Sequence, residues 1–90
     1  MPILTSALAN PVPAPLAEPV QRETTRLCAR TALLLMQHGA ERALVENMVR
    51  RLGYALSGCD VEIALLSGAI VITTLSGEHC ITTVRRHRDH

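Results

Sequence analysis

The sequence predicts an α+β fold: a helical hairpin packed on one face of a three-stranded antiparallel meander, in the order ααβββ. Three observations lead there. Residues 18–38 and 41–56 carry apolar side chains at helical spacing, with Gly39 between them. From Val61 onward the pattern changes to short β-branched runs separated by Ser67-Gly68 and Ser76-Gly77-Glu78. Ninety residues without an internal repeat suit one small domain with a modest core.

Composition narrows the classes. The chain is 48% hydrophobic but has one Tyr, no Phe and no Trp, so its core is aliphatic. The formal net charge is +1, which advertises no nucleic-acid partner. Every basic residue is Arg, which reads as composition bias. Cys28, Cys59 and Cys80 are an odd set without a C-x-x-C spacing. That argues against a disulfide framework and for a reducing compartment. The first basic residue is Arg22, so no charged segment precedes an apolar run as a secretory signal requires. No apolar run reaches the ~20 residues that span a bilayer; Ile63 to Leu75 contains Ser67, Gly68 and threonines and reads as strands.

Residues 1–17 hold Pro11, Pro13 and Pro15 and no charge, and read as a disordered Pro-rich leader. The first helix is expected from about Glu18 to His38, with Pro19 in its first turn. Its inward face reads as Leu27, Thr31, Leu34 and Leu35, widened by Cys28, Ala32, Leu33 and Met36. Arg22, Arg26 and Arg30 line up at i, i+4, i+8 as a solvated stripe. Gly39 can take the left-handed conformation that closes this helix. In the second helix the apolar positions are Leu44, Val45, Met48, Val49, Leu52, Ala55 and Leu56. Arg42, Glu46, Asn47, Arg50 and Arg51 occupy the other face. Glu46 and Arg50 are placed for an ion pair of about 0.3–0.5 kcal/mol, and Glu41 for the first turn, where the helix dipole favours an acid. Gly53 costs this helix about 1 kcal/mol against Ala; it either permits close packing or lets the end fray.

Ser57-Gly58-Cys59-Asp60 turns the chain into strands expected at Val61–Leu66, Ala69–Leu75 and Cys80–Arg85. The middle strand is apolar on both faces through Ile70, Val71 and Ile72. A helical hairpin covers one face only, so the other needs a second copy or further chain. Either the molecule pairs with another copy, or the sequence is the front piece of a longer protein.

Candidate chemistry is sparse. His38, His79, His87, His90, Cys59 and Cys80 offer metal-ligand types but no zinc spacing, and adjacent His79 and Cys80 would point to opposite sheet faces. No metal and no cofactor are expected. Cys28 looks buried without a base, a structural thiol. Glu41, Glu46 and Glu62 could serve acid/base work only in a pocket. A stand-alone hydrolase using Glu41 or Glu46 is therefore one alternative class, and a small homodimeric interaction protein is another. Two helices around Gly39 suggest a helix-turn-helix, but the turn is very short. Glu41 and Glu46 would face phosphate, and stacking aromatics are missing, so nucleic acid is not an expected partner.

The stretches Arg26-Leu27-Cys28, Leu33-Leu34-Leu35-Met36-Gln37-His38-Gly39-Ala40-Glu41 and Leu44-Val45-Glu46 form a pattern. It continues through Arg51-Leu52-Gly53-Tyr54-Ala55-Leu56, Val61-Glu62, Ala69 to Thr74, and Cys80-Ile81-Thr82 ahead of Arg85. This pattern resembles the start of the cytoplasmic domain of the threonine/serine exporter family, nearest its short YjjP-type branch. The resemblance implies the soluble front of an inner-membrane exporter of threonine and serine, or of dicarboxylates such as succinate. It implies a non-enzymatic role in assembly or regulation. The implied partners are a small membrane subunit and the family's membrane domain, with self-association as a further option. By motif position it nominates Gly39, Glu41, Glu46, Arg51, Glu62 and Arg85. Two departures stand out: Ser57 precedes Gly58 where the family places glycine directly after Ala-Leu, and Gly77 comes one position early. The chain stops ahead of the family's membrane spans, so residues 18–90 read as a partial exporter-type domain.

Overall fold

The computed structural model describes residues 18–87; the proposed leader over residues 1–17 and the tail residues 88–90 lie outside them. The element order is α1 (Glu18–Gln37), α2 (Arg42–Ser57), β1 (Asp60–Leu65), β2 (Ala69–Ser76) and β3 (His79–Arg86). The three strands form one antiparallel sheet in the order β1-β2-β3. This is the ααβββ arrangement read from the sequence, with helix and strand ends shifted by about one residue.

The turn between the helices follows from one residue. Gly39 has φ +82°, its N–H bonds Met36 O at 3.0 Å, and the Ala40 N–H bonds Leu35 O at 2.9 Å. That pair of bonds is the Schellman closure, which satisfies carbonyls the helix end leaves open. Glu41 does not sit in the first turn of α2, as its sequence position suggested. It is the N-cap residue, extended at φ −67° and ψ 147°, and its side chain makes no cap bond. At the other end Gly58, at φ +72°, donates to Tyr54 O at 2.8 Å and stops α2. Ser57 is the last residue of α2, directly before that glycine.

The core is a single cluster of Cys28, Ala29, Ala32, Val45, Val49, Val61, Leu65, Ile70 and Ile72. Both inward helix faces differ from the expected ones. On α1 the buried positions are Gln21, Thr24, Thr25, Cys28, Ala29 and Ala32, whereas Leu34 is exposed and Leu27, Thr31 and Leu35 are half-buried. Small side chains let α1 lie close to the sheet, and that selects this face over the bulkier leucine face. On α2 only Val45, Val49 and Gly53 are buried; Leu44, Met48, Ala55 and Leu56 are exposed. Gly53 explains this rotation. A Cβ there would lie 2.2 Å from Val61 Cγ2 and 3.4 Å from Cys28 Sγ, so the glycine is where α2 meets β1 and α1. Close packing, and not fraying, is its role.

Register sorts the sheet residues by face. Val61, Ile63, Leu65, Ile70, Ile72, Thr74, Ile81, Thr83 and Arg85 share the helix side. Glu62, Ala64, Val71, Thr73, Leu75, Cys80, Thr82, Val84 and Arg86 share the outer side, which none of the described elements covers. Thr73 and Thr82 hydroxyls bond there at 2.8 Å. The uncovered face inferred from Val71 is therefore present among the described residues.

Candidate functional site

Three features of the fold could engage something else: a polar seam under α1, a cleft beside it, and the outer sheet face. The seam begins at Gln21, which is 1% exposed. Its Nε2 donates to Thr74 O at 3.2 Å, Thr74 Oγ1 at 3.3 Å and His79 O at 3.1 Å. Thr25 Oγ1 donates to Gln21 O at 2.8 Å and lies 2.6 Å from Thr74 Oγ1. A hydroxyl has one proton, so Thr74 is the donor in that last bond. Thr24 Oγ1 donates to Val20 O and lies 2.9 Å from Ser57 Oγ, which lies 3.3 Å from Cys59 Sγ. These contacts tie the start of α1 to β2, β3 and the end of α2 in one register.

The cleft, about 450 Å³, lies between the first turns of α1 and the start of β3, lined by Glu18, Gln21, Arg22, His79, Cys80, Ile81 and Thr82. Arg22 is paired with Glu18, and Arg26 with Glu23 at 2.6 Å, so two cations of the α1 stripe are already engaged. The Arg26 hydrogen bond holds the Glu23 carboxyl below its usual range. Among the described residues no three His, Cys, Asp or Glu side chains are grouped to hold a metal.

The six residues nominated by motif position do not converge. Gly39 and Glu41 form the interhelical turn. Glu46 is half-buried on α2, and it makes no ion pair with Arg50; the expected pair is absent among the described residues. Arg51 is exposed on α2. Glu62 lies on the outer sheet side, and Arg85 on the helix side opposite Ile70. Neither Glu41 nor Glu46 lines the cleft. The residues sequence reasoning missed are Gln21, Thr24 and Thr25. Their one signal was a run of polar residues on what proved to be the inward face.

The cysteines differ in access. Cys28 and Cys59 are buried and Cys80 is exposed. Cys28 Sγ donates to Val49 O at 3.8 Å, and burial, with a smaller contribution from Cys59, pushes its thiol up to about 11. A thiol-specific reagent at neutral pH should therefore modify Cys80 alone in the folded chain and all three cysteines in denaturant, read by mass. Because the folded Cys28 thiol holds its proton more tightly than the unfolded one, its stabilising contribution is complete below about pH 9 and fades as pH rises towards 11.

Residues 26–90 match the family described as "Putative threonine/serine exporter". The chain belongs to the threonine/serine exporter family. An uncharacterised protein of Haemophilus influenzae is 56% identical over 69 residues, 77% of this chain and 23% of that protein. The "Probable succinate transporter subunit YjjP" of Klebsiella aerogenes is 52% identical over 69 residues, again 77% of this chain and 27% of the relative. Its Escherichia coli namesake is 48% identical over the same length and shares. The chain thus spans about a quarter of the length of these exporter-family relatives. No solved structure matches it. Among the described residues no helix is long and apolar enough to cross a membrane.

Proposed function

We propose that this chain acts as the soluble front module of a metabolite exporter, exporting threonine and serine or a dicarboxylate such as succinate as part of a larger unit. Its task is assembly or regulation of the transport unit, without bond chemistry. The observation that carries this reading is the outer sheet face. Val84 is 55% exposed on it, beside half-buried Val71 and Leu75 and exposed Ala64. Apolar side chains gathered on one open face mark a surface that meets protein. The family's membrane domain and a small membrane subunit are the partners proposed for it. In the relatives named as transporter subunits, this segment is a quarter of the whole. The cytoplasmic side of the inner membrane is the corresponding location.

The test is a chimera. This segment replaces its counterpart in the Escherichia coli relative, and succinate export is measured in cells. The chimera should export. The same chimera with Val84→Glu should lose at least about tenfold in assembled complex and export, because a charge enters an apolar contact. Val84→Glu in the isolated chain should shift stability by no more than about 0.5 kcal/mol, as at other exposed sites. Full export by the Val84→Glu chimera would remove the outer face from the assembly.

A further inference from the structure

We propose that the outward side of the helical hairpin rests on an anionic lipid surface. Among the described residues, six of the eight exposed large apolar side chains lie on the helices: Val20, Leu34, Leu44, Met48, Tyr54 and Leu56. Their exposures run from 43 to 69%. A solvated helical layer has no need of so many.

Val20 and Leu56 line a groove between the two helices; for the exposed side chains earlier in α2 the direction follows from helix geometry. Gly53 marks the side of α2 that touches the sheet. Leu44 comes nine residues earlier, about two and a half turns, and so sits on the reverse side. Leu44, Met48, Arg51 and Ala55 are all exposed and repeat at i, i+4, i+7 and i+11, one stripe pointing away from the sheet. Tyr54 lies beside it, and Arg50 stands about 100° round from Arg51, towards the sheet side.

Charge decides what the stripe meets. The cations of the first two turns of α1 are engaged by Glu18 and Glu23. Arg30, Arg50 and Arg51 are exposed and make no ion pair among the described residues. Glu46 stands about 140° round the helix from Arg51; it lies about 40° from Arg50, but the two form no ion pair among the described residues. Aliphatic side chains that can enter the head-group boundary, a tyrosine suited to that boundary, and uncompensated guanidiniums for phosphate make an interfacial surface. A second copy fits less well. A two-fold contact sets a patch against itself, bringing the arginines of both copies together. The outer sheet face lies on the opposite side of the fold, so lipid and protein contacts can coexist, and this inference does not depend on the proposed assembly role.

The experiment is sedimentation of the 90-residue chain with vesicles of phosphatidylcholine alone or mixed with phosphatidylglycerol. The chain should bind the mixed vesicles at low salt, release at high salt, and leave neutral vesicles largely unbound. An arginine near such a surface contributes about fivefold in partitioning. Arg50→Gln with Arg51→Gln should therefore lower binding at least about tenfold with unchanged circular dichroism. Leu44→Ser with Met48→Ser should lower it with every charge retained. Equal binding to neutral vesicles, binding that ignores both double substitutions, or no binding at low salt would overturn the proposal. So would a dimer abolished by the Leu44 and Met48 changes, which would assign the surface to a second copy.

Discussion

Gly53→Ala is expected to destabilise the folded chain by about 1–2 kcal/mol, although in an ordinary helix interior the same change stabilises by about 1 kcal/mol. The sign is decided by one distance. The new Cβ would stand 2.2 Å from Val61 Cγ2, inside any permitted contact. Val61 is β-branched, 6% exposed and fixed in β1 opposite Thr74, so it cannot swing aside. Either α2 lifts off the sheet or β1 shifts, and such overpacking typically costs about 1–3 kcal/mol. Urea unfolding should show a lower midpoint with an unchanged slope. Val61→Ala alone leaves a small cavity, but in the Gly53→Ala background it removes the clash. The double-mutant cycle should therefore give a favourable coupling of about 1 kcal/mol or more. Stabilisation by Gly53→Ala would mean that α2 does not approach β1 this closely.

The second large effect is expected at Gln21. Gln21→Leu keeps much of the volume but removes the amide that serves Thr74 O, Thr74 Oγ1 and His79 O. Leaving buried acceptors without a donor should cost about 2–3 kcal/mol. Gln21→Glu is the more telling variant. Its carboxylate would face the carbonyl oxygens of Thr74 and His79, and both burial and those dipoles disfavour the charge. The folded pKa would rise above the unfolded value of about 4.3. A raised folded pKa gives stability that is present below the unfolded value and lost as pH rises through the folded one. Relative to the parent chain, Gln21→Glu should thus be moderately destabilised near pH 4, where one O–H stands in for the two amide protons, and severely destabilised at pH 7. Thermal unfolding at the two pH values measures this, and a pH-independent difference would show that the side chain points into solvent.

The fold was legible where one residue or one short run decides the backbone. Gly39 marks the interhelical closure because few other residues tolerate φ +82°. Ile70 to Thr74 marks the central strand because β-branched side chains favour it. The inward helix faces were not legible, for a physical reason. Apolar periodicity counts large side chains, whereas here close approach to the sheet is made by Cys28, Ala29, Ala32 and Gly53. The polar seam was beyond sequence reasoning because Gln21 finds its partners 53 and 58 residues away. Of the residues nominated by family motif, Gly39 has a clear structural role. Glu41, Glu46, Arg51, Glu62 and Arg85 do not converge on one place in this segment.

The simple strand order carries one last consequence, for how the molecule is made. Each hairpin joins neighbours in the chain, so α1–α2 and β1–β2–β3 close short loops quickly. The start of α1 alone must wait, since Gln21 needs the backbone of His79. On a ribosome, the nascent helical hairpin would hold the polar seam of α1, Gln21 and Thr25, without its partners until β2 and β3 emerge. Docking of that first helix is then the step that completes the unit, ahead of any polypeptide that follows in the longer relatives.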